Sequence, residues 1–313
     1  GRQGLQLATP DKARSEYARA MEKTKKPAAG SARSIAAGAL LGLLLAATGL
    51  WGSQRHLIFE PVRAASAAPA ELASAGVDVS IPVQSPGRPV QKLDGWWMPG
   101  ARSDSKTVLY LHGNDENVAS SAREVGPLRE LGYAVLLVDY RGFGRSEGGF
   151  PSEATVYEDA QAAWTYLVRE RGVDPAALYL YGHSLGGAIA IELAQRHPEA
   201  AGLIVESSFT SIADMARLQA RYALLPVDFF LNQRFESIRK VGALKLPILY
   251  LHGTEDELVP FAMGQRLFEA SSRAAQFVAI PGGHHDHDAS GAAVIRSAVL
   301  RFTEGKTLTA SAR

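Results

Sequence analysis

Ser184 is the residue with the clearest chemical potential. It lies in Gly182-His183-Ser184-Leu185-Gly186, between an apolar run from Leu178 to Tyr181 and a helix-like run whose apolar side is Ala188, Ile189, Ile191, Leu193 and Ala194. This is the G-x-S-x-G pattern of a serine held on a sharp strand-to-helix turn. Such a turn needs neighbours without a Cβ, and it leaves helix N–H groups beneath the hydroxyl, aimed at developing negative charge. Gly144-Arg145-Ser146-Glu147-Gly148 matches the same pattern. Gly148, Gly149 and Pro151 would break any helix starting there, so Ser146 is expected in a turn-rich loop and Ser184 as the nucleophile.

A serine hydroxyl is inert at its own pKa and needs a base, an orienting acid and oxyanion donors. Two downstream segments supply candidates. Tyr250-Leu251-His252-Gly253-Thr254-Glu255-Asp256-Glu257 reads as a strand running into an acidic loop, and Ile280-Pro281-Gly282-Gly283-His284-His285-Asp286-His287 as a strand running into a histidine loop. Both loops fall at the carboxyl ends of parallel strands, the edge that carries Ser184. Upstream, Leu111-His112-Gly113-Asn114 follows another strand and can bring a backbone N–H to the same edge. Glu206 closes a further strand and is an alternative acid. A metal site built from His284, His285, Asp286, His287 and Asp288 is disfavoured, because adjacent side chains on one loop rarely converge and no second half-site is recognisable. His112 is expected to be packed below the upstream loop, and His183 to be a neighbour of the elbow.

Taken together, the HGN after a strand, DYRGFGRSEG (139–148), GHSLGG (182–187), HGTEDELVP (252–260) and PGGHHD (281–286) resemble the α/β-hydrolase superfamily. Within it they are similar to the membrane-anchored serine hydrolases of the α/β-hydrolase-domain kind. The resemblance covers roughly Gln54 to Thr303. It implies a triad of Ser184 as nucleophile, Asp256 rather than Glu255 or Glu257 as acid, and His285 rather than His284 as base. It also implies an oxyanion hole made by the backbone N–H groups of Asn114 and Leu185. The implied chemistry is acyl transfer on a carboxylic ester or thioester of a small-molecule or lipid acyl substrate, with no cofactor and no metal. A serine peptidase on the same scaffold is an alternative, as is a non-catalytic membrane-tethered binding protein.

The elements that must position these residues alternate along the chain, as expected for a largely parallel sheet with helices on both faces. Strands are expected at 77–83, 95–98, 107–111, 134–139, 178–181, 203–205, 248–251 and 276–280. Helices are expected at about 119–131, 153–171, 185–197, 262–272 and 292–304. Residues 208–246 interrupt the alternation and carry Phe209, Tyr222, Leu224, Phe229 and Phe230 around Pro226, which reads as a short helical cap. The hydrolase domain is expected over 77–305, with a C-terminal tail at 306–313.

The N-terminal third reads differently. Residues 1–33 are polar and basic, 34–54 carry no charge, and 55–76 are a linker rich in Ala, Ser and Pro. The uncharged run is just long enough to cross a bilayer core of ~30 Å at ~1.5 Å per residue. The expectation is an uncleaved transmembrane anchor with the basic tail in the cytoplasm and the domain outside it; a cleaved signal peptide is the alternative. The 313 residues are 46% hydrophobic and 21% charged with a net charge of +1, which gives no reason to expect nucleic acid as a partner. The absence of cysteine excludes disulfides, thiol nucleophiles and thiolate metal sites. Oligomeric state is not legible.

Overall fold

The computed structural model describes residues 10–24, 29–63, 76–219, 227–272, 274–285 and 289–305. The linker at 64–75, the tip of the cap with Tyr222, Leu224 and Pro226, residues 286–288 and the tail at 306–313 lie outside them. The strands are β1 (Val77–Val83), β2 (Gln91–Met98), β3 (Thr107–Leu111), β4 (Ala134–Val138), β5 (Leu178–His183), β6 (Gly202–Glu206), β7 (Ile248–Gly253) and β8 (Ala275–Ile280). They form one sheet in the order β1-β2-β4-β3-β5-β6-β7-β8. The pairings of β1 with β2 and of β2 with β4 are antiparallel; every pairing from β4 to β8 is parallel.

The five strands β3 to β7 are buried along their whole length, which is why each reads as an unbroken apolar run rather than an alternation. Their side chains divide between two cores. Leu109, Leu111, Leu136, Val138 and Leu180 point to the face covered by helices Glu153–Thr165 and Leu185–Arg196. Val108, Tyr110, Val135, Leu137 and Tyr181 point to the other face, against Leu128 and helix Ala289–Thr303 with Ile295, Val299 and Phe302. The period of two along each strand thus fills both sides of the sheet.

One expected helix is broken. Residues 119–131 form two short pieces, Val118–Ser121 and Gly126–Glu130, with a turn between them. Pro127 stands near the start of the second piece, where its missing N–H costs nothing; within a continuous helix it would clash with the preceding turn. Asn117 and Ser120 close a reciprocal capping box on the first piece. The break turns Glu124 out of any helix.

At the N-terminus, Ala29–Ile58 is one helix of 30 residues that takes in the uncharged run and continues past Arg55 and His56. The transmembrane anchor expected at 34–54 receives no support here: among the described residues, no helix is long and apolar enough to cross a membrane. The chain divides into two compact units, Gly1–Ser53 and Gln54–Arg313. The second takes in residues 54–63, which precede the expected start of the hydrolase domain. Gln54 is buried, donating to the Phe230 carbonyl at 2.7 Å and accepting from the Asn232 N–H at 2.8 Å. Phe59 enters the core against Phe235.

Candidate active site

The chain reverses at Ser184 with φ 53° and ψ −117°, a left-handed conformation that costs a non-glycine residue about 1–3 kcal/mol. Close backbone approach explains the flanking glycines. A Cβ on Gly182 would fall 2.1 Å from the Gly186 carbonyl oxygen, and one on Gly186 would fall 1.9 Å from that of Leu111. The turn is tied down by the Ser184 N–H donating to the Glu206 carbonyl at 2.9 Å, and by the Ser208 hydroxyl donating to the Ser184 carbonyl at 2.8 Å.

Ser184 Oγ lies 2.9 Å from Nε2 of His284, whose Nδ1 lies 2.8 Å from Oδ2 of Asp256. The structure therefore corrects the expectation for the histidine: His284, not His285, reaches the serine. The reason lies in the loop that carries them. The Thr254 and Glu255 N–H groups donate to the Ile280 and Gly282 carbonyls at 2.9 Å each, and the Gly283 carbonyl lies so close to Gly253 that a Cβ there would be 2.3 Å away. Two loops stitched this tightly turn the first residue after the glycine pair toward Asp256. The next side chain, His285, stands edge-on to His284 with ring centroids 4.6 Å apart and does not reach the serine.

Asp256 is buried while Glu255 and Glu257 are exposed. Its Oδ1 accepts from the N–H groups of Leu258 and Val259 at 3.0 and 2.8 Å, which leaves Oδ2 to orient the imidazole. Burial acts to raise its pKa, but hydrogen bonds from His252, His284 and the Val259 N–H outweigh it and hold the carboxyl well below the usual range. His284 is shifted down, chiefly by burial, against the opposing pull of Asp256. Its Nε2 accordingly carries a lone pair toward Ser184 at neutral pH.

Leu185 opens the helix Leu185–Arg196, so its N–H has no intrahelical acceptor. Among the described residues, the backbone N–H of Asn114 has no acceptor either. The Asn114 side chain is engaged elsewhere. Its Nδ2 donates to the Ile58 carbonyl at 2.7 Å and its Oδ1 accepts from the Glu60 N–H at 3.1 Å, clamping the loop after β3 to residues 58–60, where the long helix ends.

The remaining candidates are accounted for by packing. Ser146 is buried, its hydroxyl committed to backbone, donating to the Asp139 carbonyl at 2.6 Å and accepting from the Asp94 N–H at 2.8 Å. His112 is fully buried against the rings of Tyr140 and Phe143. Glu206 accepts from the Tyr181 hydroxyl.

Sequence reasoning missed Glu116 and Glu124. Glu116 is buried, with Oε2 accepting from the Gly113 N–H at 3.0 Å and the Ser121 hydroxyl at 2.9 Å. Its Oε1 lies 2.9 Å from Nδ1 of His183, whose Nε2–H donates to the His284 carbonyl at 3.1 Å. Burial disfavours charge on His183, but the carboxylates of Glu116 and Glu124 overcome it and lift its pKa well above the ordinary histidine value. The residue before the nucleophile thus joins the loop after β3 to the backbone of His284. His285 turns into the same cluster, with Nδ1 3.4 Å from Glu116 and 3.9 Å from Glu124. The only signal in the sequence was the acidic pair Asp115-Glu116 directly after HGN.

Comparison with known proteins agrees with this fold. A family model described as "Serine aminopeptidase, S33" matches residues 102–239. A protein of Arabidopsis thaliana, "Alpha/beta hydrolase domain-containing protein WAV2", is 32% identical over 233 residues, covering 68% of this chain and 75% of that one. The chain belongs to the α/β-hydrolase superfamily. An uncharacterized protein of Mycobacterium tuberculosis, Rv2307c, is 34% identical over 255 residues, covering 81% of this chain and 88% of its own length. Among solved structures, the Pyrococcus furiosus esterase Pf2001 superposes with a TM-score of 0.65 at 22% identity, over 80% of this chain and 98% of that one. At that identity the likeness speaks for the α/β-hydrolase fold alone.

Proposed function

We propose that this α/β-hydrolase is a serine hydrolase that cleaves carboxylic ester or thioester bonds through an acyl-enzyme. The observation that carries the reading is the unbroken hydrogen-bond chain Ser184–His284–Asp256 at the carboxyl edge of the sheet. His284 Nε2 takes the Ser184 proton as Oγ attacks the acyl carbon; Asp256 holds the ring tautomer and stabilises its positive form. The backbone N–H groups of Asn114 and Leu185 receive the oxyanion, a role in which losing one donor typically costs about 100-fold or more. His284 then gives its proton to the leaving group, and water attacks the acyl-enzyme with the same histidine as base.

The test is labelling of the full chain by a fluorophosphonate probe, followed by a panel of p-nitrophenyl esters, thioesters and amino-acid p-nitroanilides. Labelling of the wild type that disappears in Ser184→Ala, with turnover of the esters or thioesters, is the expected result. No labelling of folded protein overturns the reading. The description of the matching family gives a second reading some standing. Turnover confined to the nitroanilides would make the enzyme an aminopeptidase instead.

The proposal extends to location, on the strength of the basic tail that precedes the uncharged run. An alkaline phosphatase fused to the C-terminus should be active in cells if the domain lies outside the cytoplasm; an inactive, stable fusion would refute that placement.

A further inference from the structure

We infer that Glu116, Glu124, His183 and His285 form a binding site for a divalent transition metal of the zinc class, beside the triad but separate from it. The four side chains come from the loop after β3, the turn between the two short helical pieces, the end of β5 and the loop after β8, and one donor atom from each lies within 4.8 Å of all the others. His285, which as part of a single loop lacked partners for a metal, here meets a second half-site assembled by the fold.

The outer atoms are already spoken for, and the inner ones converge. Glu116 Oε2 is held by the Gly113 N–H and the Ser121 hydroxyl, which leaves Oε1 facing inward. Glu124 Oε2 accepts from the Tyr110 hydroxyl, and its Oε1 faces His285. His183 donates Nε2–H to the His284 carbonyl, which assigns the ring's other nitrogen, Nδ1, to the centre of the cluster. Metal-binding histidines and carboxylates are held by partners of this kind.

The spacing suits the ion. Ligands at about 2.0–2.1 Å around a tetrahedral centre stand about 3.3 Å from one another. Nδ1 of His183 lies 2.9 Å from Glu116 Oε1 and 4.0 Å from Glu124 Oε2, and Nδ1 of His285 lies 3.4 Å from Glu116 Oε1 and 3.9 Å from Glu124 Oε1, so both Glu124 oxygens stand at the rim of the cluster. A small inward movement of Glu124 closes the set. Two imidazoles and two carboxylates favour zinc or cobalt over calcium or magnesium, and the two carboxylates cancel the ion's charge. Side-chain exposures of 35% for His285 and 28% for Glu124 leave an entrance from solvent. Binding exchanges any proton on Nδ1 of each histidine for a coordinate bond, with release to water. Through His183 and its bond to the His284 carbonyl, the ion would fix the catalytic loop without taking part in acyl transfer.

The test is titration of the full chain, freed of metal by chelator, with Co(II) followed by visible absorption and with Zn(II) followed by calorimetry. One equivalent per chain, with the intense d–d bands of a four-coordinate site, is expected. Glu124→Gln and His285→Ala, checked for folding by circular dichroism, should each weaken binding at least tenfold, while His197→Ala, whose ring faces Gln161 and Glu199, should not. Absence of binding overturns the site and leaves a hydrogen-bonded charge cluster only; undiminished binding in the first two variants, or its loss in His197→Ala, overturns it too. Should either variant fail to fold, X-ray absorption of the wild-type zinc complex decides: two imidazoles with two carboxylates support the site, and any other set refutes it.

Discussion

Two histidine–carboxylate couples stand side by side at the carboxyl edge of the sheet, with the rings of His183 and His284 4.9 Å apart. Their surroundings set them to opposite roles. In the Asp256–His284 couple the acid has spent one oxygen on backbone N–H groups, and the second imidazole nitrogen faces a hydroxyl, so the ring can hold a lone pair. In the Glu116–His183 couple the second nitrogen faces a carbonyl, which can only accept, and a further carboxylate stands nearby. One pKa is shifted down and the other up. The same two residue types thus make a base in one place and a tie in the other: the carboxylates of Glu116 and Glu124 together favour charge on His183, whereas burial and the neighbouring His183 and His285 disfavour it on His284.

Several substitutions would break or sharpen that contrast. Ser184→Ala removes the bond-forming atom and should lower kcat by about 10⁴-fold or more in an ester assay, leaving only the contribution of oxyanion donors and binding. Asp256→Asn keeps the shape but removes the charge that fixes the His284 tautomer, and kcat should fall by about 10³–10⁴-fold with KM little changed. Glu116→Gln strikes the other couple. It leaves His183 without its buried counter-ion, and urea unfolding in metal-free buffer should show a loss of about 3 kcal/mol. A loss of activity with no loss of stability would place Glu116 in the chemistry rather than in the scaffold. Ser146→Ala, at the second G-x-S-x-G, should cost only about 1 kcal/mol of stability for its hydrogen bonds and leave fluorophosphonate labelling intact.

Much of this was legible in the sequence, for identifiable reasons. Strands β3 to β7 are buried on both faces and announce themselves as apolar runs, and the elbow announces itself because only glycine tolerates the approach of Leu111 and Gly186. Asp256 could be told from Glu255 and Glu257 by the motif around it. His284 and His285 could not be separated in the same way, because the choice depends on how two loops far apart in sequence are stitched through the carbonyls of Ile280 and Gly282. Glu116, marked only by the acidic pair after HGN, and Glu124 were hard to read for a related reason: one is buried only by the tertiary fold, and the other lies in the turn that parts two short helical pieces.

The most direct measurement compares His284→Ala with His285→Ala, in metal-free buffer, by the rate of fluorophosphonate labelling and by ester turnover. His284→Ala should bring a fall of about 10⁴-fold or more. His285→Ala should bring a fall of less than about tenfold, since that residue acts on the triad only through its neighbours. The reverse order, or equal losses in both variants, would contradict the assignment of His284 as the base.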